Sequence, residues 1–256
     1  MQCYKKTILL LASLLVASAP FAVGASATET LDAAQIVAAS DRARGGGLSG
    51  VQWTIDITGQ DSGGPIDRRT YMVRASGEDS LAQATYPPRE AGSRLLQNGR
   101  SMWFGKPTLT KPVSISTRQK MVGPASNGDI ASTNYAKDYD ATVLRTEQVN
   151  GEDAYVLNLL AKNKFVTYDR IVYYVSVSHL VPLKAEFYTV SGKLFKTAVF
   201  EMNNRLDIDG KAQPFVSKMS IQDTIEKSNF SLLQYSEVRT KQFGADTFNL
   251  GSLNRP

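Results

Sequence analysis

The hydrophobic pattern changes period near residue 50, from one helical segment to a series of strands. From Leu31 to Arg44 the text LDAAQIVAASDRAR is rich in helix formers, and Leu31, Ala34, Ile36, Val37 and Ala38 support an apolar stripe. Gly45-Gly46-Gly47 stops that helix. After Gly50, Val51, Trp53, Ile55 and Ile57 alternate with Gln52, Thr54, Asp56 and Thr58, which predicts a strand with one buried face. Gly59 to Pro65 reads as a turn or loop. Strand-like runs follow at 69–75, 81–86, 94–97 and 102–104. They are clearer at 155–161, 171–177, 183–190, 194–202, 215–225 and 230–238, each rich in Val, Ile, Leu, Phe or Tyr.

Asn150-Gly151, Ser191-Gly192 and Asp209-Gly210 lie between apolar runs and fit tight antiparallel hairpins, so consecutive strands pair with their neighbours. A mainly β meander of roughly ten strands with one N-terminal helix must close into a barrel or curl around that helix. The segment from Lys111 to Asp140 breaks the pattern, with two prolines, two glycines and little alternation. It reads as a long loop with a short helix over 129–136, N-capped by Asp129; loops of this length in a compact domain usually carry function or motion.

The beginning of the chain adds a location. Lys5 and Lys6 precede an apolar run from Thr7 to Ala17, a Pro20 break and the small-residue end Ala25-Ser26-Ala27, the pattern of a cleaved export signal. Cleavage is expected after Ala27, leaving residues 28–256 as a single domain in the periplasm, since no Pro/Ser-rich linker or internal repeat divides them. Cys3 precedes the apolar run, so it is not the acylated cysteine of a lipoprotein signal. No later stretch approaches the ~20 continuous apolar residues of a membrane-spanning helix.

Charge and rare residues narrow the chemistry. Without Lys5 and Lys6 the 29 Lys and Arg become 27 against 24 Asp and Glu, a net charge of +3. These bases are interleaved with acids along the chain, so no nucleic-acid partner is expected. One His and one Cys cannot assemble His-rich or Cys-rich zinc, haem or iron–sulfur sites within one chain, and no cofactor is expected. With Cys3 removed the domain has no disulfide, so its stability must come from a hydrophobic core.

Motifs for catalysis are weak. Gly45, Gly47 and Gly50 satisfy a GxGxxG spacing, but after a helix and before a strand, the reverse of a dinucleotide site. A Ser-His-Asp enzyme would have to use His179, which lies between two strand-like runs as a turn residue would. Asp138 and Asp140 would share a face if they lay in a strand, as a carboxylate pair could, yet no nucleophile accompanies them. Ser116 and Lys120 are one residue too far apart for a Ser-x-x-Lys motif. Lys184 and Glu186 alternate onto one strand face and read as an ion pair. No catalytic residue is assigned, and the chain is not expected to be an enzyme.

The blocks RLLQNGRSMWFGKP (94–107), GDIASTNYAKDYDA (128–141), EQVNGEDAYVLNL (147–159), RIVYYVSVSHLVPLKAEFYTVSGKLFKTAVFE (170–201) and PFVSKMSIQD (214–223) resemble the LolA-like family of outer-membrane lipoprotein-sorting proteins. The matching positions are Asp138-Tyr139-Asp140, Gly151, Tyr155, Pro182-Leu183-Lys184, Glu186-Phe187-Tyr188, Gly192-Lys193-Leu194, Lys196 and Met219. The sequence departs from the family after the Met102-Trp103 strand, where Lys106, Lys111, Arg118 and Lys120 replace a more Arg-rich loop. It departs again at Ser126-Asn127-Gly128-Asp129, where the family often has an aromatic-acidic segment. The resemblance implies a half-open antiparallel barrel with a helical lid over a hydrophobic cavity. It also implies a carrier of lipid or lipid-modified protein, of a branch similar to accessory proteins of lipid exporters; a monomer that touches membranes transiently and works with an inner-membrane RND or ABC transporter is expected.

A curved sheet of this kind would line its cavity with Trp53, Ile55, Trp103, Tyr173, Val175, Phe187 and Met219, where each buried acyl methylene contributes about 0.8 kcal/mol. Met219 would let the wall conform to different chains. The same pattern also fits a filled core, because periodicity reports burial and not empty volume. Exchange of cargo requires movement. The expected lid is the N-terminal helix carrying Ile36, hinged at Gly45, Gly46 and Gly47, with the 111–140 loop as the second gate.

Overall fold

The computed structural model describes residues 31–244 and 246–254. The expected export signal and its cleavage point after Ala27 lie outside the described residues. Helix α1 spans Ala33–Arg42, shorter at both ends than the helix-forming text. Asp32 caps it, accepting from the Gln35 amide while the Gln35 side chain accepts from the Asp32 amide.

The first half of the chain then forms β1 (Val51–Gln60), β2 (Asp67–Ser76), β3 (Asp79–Tyr86), β4 (Arg94–Asn98), β5 (Ser101–Gly105) and β6 (Val113–Ile115). The expected central loop holds β7 (Lys120–Val122), β8 (Ala125–Ser126), α2 (Asn127–Ile130) and α3 (Tyr135–Asp138). The second half adds β9 (Tyr139–Val149), β10 (Glu152–Ala161), β11 (Arg170–Ser176), β12 (Pro182–Tyr188) and β13 (Leu194–Glu201). It ends with β14 (Asn204–Ile208), β15 (Lys211–Phe215), β16 (Lys218–Asp223) and β17 (Phe230–Thr240).

Thirteen of these strands make one curved antiparallel sheet in the order β6-β5-β4-β3-β2-β1-β17-β16-β13-β12-β11-β10-β9. Two runs of neighbour-paired strands meet where β1 pairs β17, and β6 and β9 remain as free edges, so the sheet does not close into a barrel. The hairpin turns work as their sequences require. Asn150 and Gly151 have φ of 52° and 85°, and Asp209 and Gly210 have 53° and 77°, the left-handed pairs of a type I′ turn. The Asp209-Gly210 hairpin, β14–β15, leaves the main sheet and stands as a flap while β13 pairs β16 across its base.

Two expectations need correction. The helix expected over 129–136 is two separate turns, because Ala131 has an extended backbone that ends α2. Asp129 is not its N-cap: it lies inside α2 and accepts from the amide of the cap residue, Ser126. The strand β9 starts in what reads as loop; its 11 residues are largely exposed on both faces, so it carries no alternation.

Alternation assigns the faces elsewhere. On the concave side Trp53 opposes Val73, Ile55 opposes Tyr71 and Tyr235, Ile171 opposes Phe187, and Met219 opposes Leu233. These residues belong to one buried cluster, and α1 lies over it with Ile36 and Val37 fully buried. A smaller cluster of Ala154, Val156, Val172 and Tyr174 occupies the convex side.

Candidate ligand site

The concave wall contains six of the seven residues expected to line a cavity. Trp53, Ile55, Tyr173, Val175, Phe187 and Met219 are at most 1% exposed and share one cluster with Ile36. Trp103 is the exception and corrects the expectation. It pairs with Leu96, and that register turns both to the convex side, with Leu81, Leu253 and Phe248 around them. Its neighbours Met102 and Phe104 take the opposite parity, and Phe104 is the one packed on the concave cluster.

The wall is covered by two elements that hold each other. The first is α1 with the glycine run after it, and the second is the 125–138 segment with α2 and α3. Ala136 donates to Asp41 Oδ2 at 2.9 Å, linking α3 to α1. A Cβ on Gly46 would stand 1.7 Å from the Thr133 carbonyl oxygen, so the two backbones touch where only glycine fits. Gly45 (φ +91°) sits over Trp53, whose ring a Cβ would meet at 2.8 Å. Gly45 and Gly46 are buried and Gly47 is exposed, with its amide donating to Gly77. Beside α3 a partly open pocket of about 40 Å³, room for about three waters at about 10–15 Å³ each, lies near the unpartnered Asn134 and Asn163 amide nitrogens.

The cover brings ionisable groups into an otherwise apolar interior. Asp41 is 4% and Arg44 5% exposed. Burial pushes the Asp41 carboxyl up to about 8, against the lowering effects of the Ala136 amide and Arg44. Its Oδ1 has no hydrogen-bond partner, nor has Arg44 Nη1. The Arg44 guanidinium rests instead on aromatic faces, 5.3 Å from the Tyr135 centroid and 4.9 Å from that of Phe200, with Nη2 3.8 Å from the Met219 sulfur. Ser40, one turn before Arg44, shares a hydrogen bond of 2.9 Å with the Tyr173 hydroxyl.

A second buried polar group fastens the other half of the cover. Lys196 points inward from β13 and its Nζ donates to Ser126 Oγ at 3.0 Å, while the Tyr168 hydroxyl donates to Asp129 at 2.8 Å. Burial lowers the Lys196 pKa, opposed by the nearby Asp129. The sequence reading missed this group and the Asp41–Arg44 group. The signal of the Asp41–Arg44 group was present in α1 and the residues just after it: Val37, Asp41 and Arg44 follow at spacings of four and three, so the apolar stripe continues directly into two ionisable residues.

The weak catalytic candidates are dispersed. Asp138 closes α3 while Asp140 is exposed on β9, so the two do not share a strand. Burial raises the Asp138 pKa, and Asp140 lies 3.9 Å from Lys162. His179 is exposed in the β11–β12 turn. Lys120 pairs with Asp61 at 3.0 Å, and Ser116 Oγ accepts from the Arg118 amide. Lys184 and Glu186 pair at 2.6 Å on the convex side, where Tyr174 and Tyr188 also donate to Glu186. Among the described residues no group of three or more His, Cys, Asp or Glu side chains could hold a metal ion, and no helix is long and apolar enough to cross a membrane.

The architecture has known counterparts. Residues 76–255 match the model of a family described as "Uncharacterized protein". Among solved structures, a LolA superfamily protein from Nitrosomonas europaea is 31% identical, with a TM-score of 0.75 over 86% of this chain and 98% of that one. A structure named for an outer membrane lipoprotein-sorting protein domain, from Vibrio parahaemolyticus, is 21% identical with a TM-score of 0.73, covering 87% of this chain and 98% of its own. A DUF1329 family protein from Desulfovibrio piger, also 21% identical, has a TM-score of 0.70 over 86% of this chain and 97% of that one. A comparison with curated proteins finds no match. At this identity and coverage, and with the open sheet just described, the chain belongs to the LolA superfamily.

Proposed function

We propose that this protein is a periplasmic carrier that shelters an acyl chain of a lipid or lipoprotein against the concave wall, after α1 and the 125–138 segment lift from it. The observation that carries this reading is the incomplete pairing of Asp41 and Arg44 beneath the cover. Seating Ile36 and Val37 contributes about 1.5–3 kcal/mol each. Burying a charge with incomplete hydrogen bonding costs several kcal/mol. The two effects nearly offset, so α1 can leave the wall at modest cost, the Arg44 guanidinium and the protonated Asp41 carboxyl regaining water while an acyl chain takes over the apolar surface.

The remaining assignments follow from that role. The export signal at residues 1–27 delivers a monomer to the periplasm, an inner-membrane RND or ABC transporter supplies or accepts the cargo, and contact with the membrane is transient. The protein performs no chemistry on the lipid. A second reading has a specific observation in its favour: the wall is fully covered in the present conformation, as it would be in a docking subunit with a permanent core.

Transfer of a fluorescent phospholipid between donor and acceptor vesicles separates the two. A carrier accelerates transfer in proportion to its concentration. Ile36→Cys paired with a cysteine on β11, a strand that α1 contacts through Ser40 and Tyr173, should slow this transfer under oxidising conditions, and reductant should restore it. Absence of transfer by wild type, together with capture of a permease, would favour the docking subunit.

A further inference from the structure

On the side of α1 away from the wall, a groove of about 800 Å³ runs between this helix and the β14–β15 flap, ended by the β11–β12 turn. Its apolar lining includes Ala38, Ala39, Leu180, Val181, Leu206 and Ile208. Leu206 belongs to the main core, and Leu180 and Ile208 pack against it, so the apolar lining of the groove rests on that core. The flap is tied to the helix end by the Val216 amide, which donates to the Ala43 carbonyl at 2.9 Å.

The rim selects the charge of an occupant. Arg42, Lys211 and His179 are exposed there, and Asp209 is the sole acid among the lining residues. Neither Arg42 nor Lys211 joins an ion pair among the described residues. A groove with an apolar strip of Ala38, Ala39, Leu180, Val181, Leu206 and Ile208 and more cations than acids around it is complementary to one acyl chain bearing an anionic head. We infer that this groove binds a single acyl chain of an anionic membrane lipid, with the headgroup phosphate at Arg42 and Lys211, as a station beside the cover. The inference rests on the carrier reading for its purpose but not for its occupancy.

Palmitoyl-lysophosphatidylglycerol and palmitoyl-lysophosphatidylcholine, each below its micellar concentration, test the groove by titration calorimetry. Arg42→Glu with Lys211→Glu changes only exposed residues, and should weaken the anionic lysolipid tenfold or more while leaving the choline lysolipid within twofold. Ala38→Trp, which fills the groove from an exposed position, should weaken both. A diazirine-bearing anionic lysolipid should label peptides 35–43 and 204–215. Unchanged affinities in the charge-reversed protein, or label confined to the concave strands, would overturn the inference. If both groove variants fail to weaken binding while vesicle transfer persists, the carrier reading survives and the groove is rejected. If wild type labels in the groove yet transfers nothing, the groove stands and the carrier reading is rejected.

Discussion

Asp41 makes the state of the cover depend on pH, and the dependence has a definite sign. Its carboxyl is pushed up to about 8 by burial, from an ordinary 3.8. Below about pH 4 folded and unfolded chains both hold the proton. Between about 4 and 8 the unfolded chain releases it and the folded chain retains it, so the folded state binds more protons and stability falls as pH rises. The slope approaches 1.4 kcal/mol per pH unit through this window, and above it the full cost of a buried carboxylate is present. Asn at position 41 keeps an oxygen for the Ala136 amide but cannot ionise. The assay is urea unfolding of wild type and Asp41→Asn at half-unit steps from pH 5 to pH 8. Relative to the variant, wild type should lose about 1.4 kcal/mol for each unit, on the order of 4 kcal/mol across the range. Hydrogen exchange at matched pH should place the loss first in α1 and α3, the elements joined by this side chain. Parallel stability curves for the two proteins would refute the reasoning, since they would show that Asp41 titrates alike in both states.

The other predictions concern how the cover and wall are built. Gly46→Ala should cost more than 2 kcal/mol or detach the 125–138 segment, because its Cβ meets the Thr133 carbonyl; Gly47→Ala, with open space but φ +65°, should cost about 1 kcal/mol, both measured by chemical denaturation. Trp53→Ala should cost about 3–5 kcal/mol by the same measurement, whereas Trp103→Ala, partly exposed on the convex side, should cost less and leave vesicle transfer unchanged. Lys196→Met should be neutral or raise the melting temperature, since it removes a buried ammonium of lowered pKa from beside Tyr168; a fall of 10 °C or more would mean that its bond to Ser126 outweighs desolvation.

Strand positions were legible in the sequence wherever one face is buried and the other wet. Val51 to Ile57 alternates in text, and burial follows it from Trp53 to Ile57, while the Asn-Gly and Asp-Gly dipeptides take the left-handed backbone that their chemistry allows. Legibility failed where that asymmetry disappears. The edge strand β9 is solvated on both sides over most of its length, so nothing in its composition separates it from a loop. Trp103 was misplaced for a different reason. In Met102-Trp103-Phe104 all three residues are large and apolar, so the run has no parity of its own. Only the pairing of Trp103 with Leu96 decides which way each side chain points.

The covered wall shows why a binding site is harder to read than a fold. Hydrophobic periodicity identified Trp53, Ile55, Tyr173 and Phe187 as inward residues, but a side chain buried by α1 and one buried by cargo leave the same pattern. What distinguishes a permanent core from a removable cover is the quality of the polar contacts on the covering element. A permanent core has little reason to retain an unpaired carboxyl oxygen and a guanidinium resting on aromatic rings, because apolar replacements of similar volume are often at least as stable. Here Asp41 lies in the last turn of α1 and Arg44 just past its end, beside the glycine run that leads into β1. If α1 moves, these groups reach water at its pivot while Ile36 and Val37 swing clear of the wall. The Arg44 charge should therefore act most strongly at the start of opening, so Arg44→Met should slow cargo uptake more than it changes the affinity for bound cargo. Stopped-flow loading of a fluorescent fatty acid measures the first quantity and equilibrium titration the second. Equal fractional changes in both would place Arg44 in the cargo wall instead of the opening step.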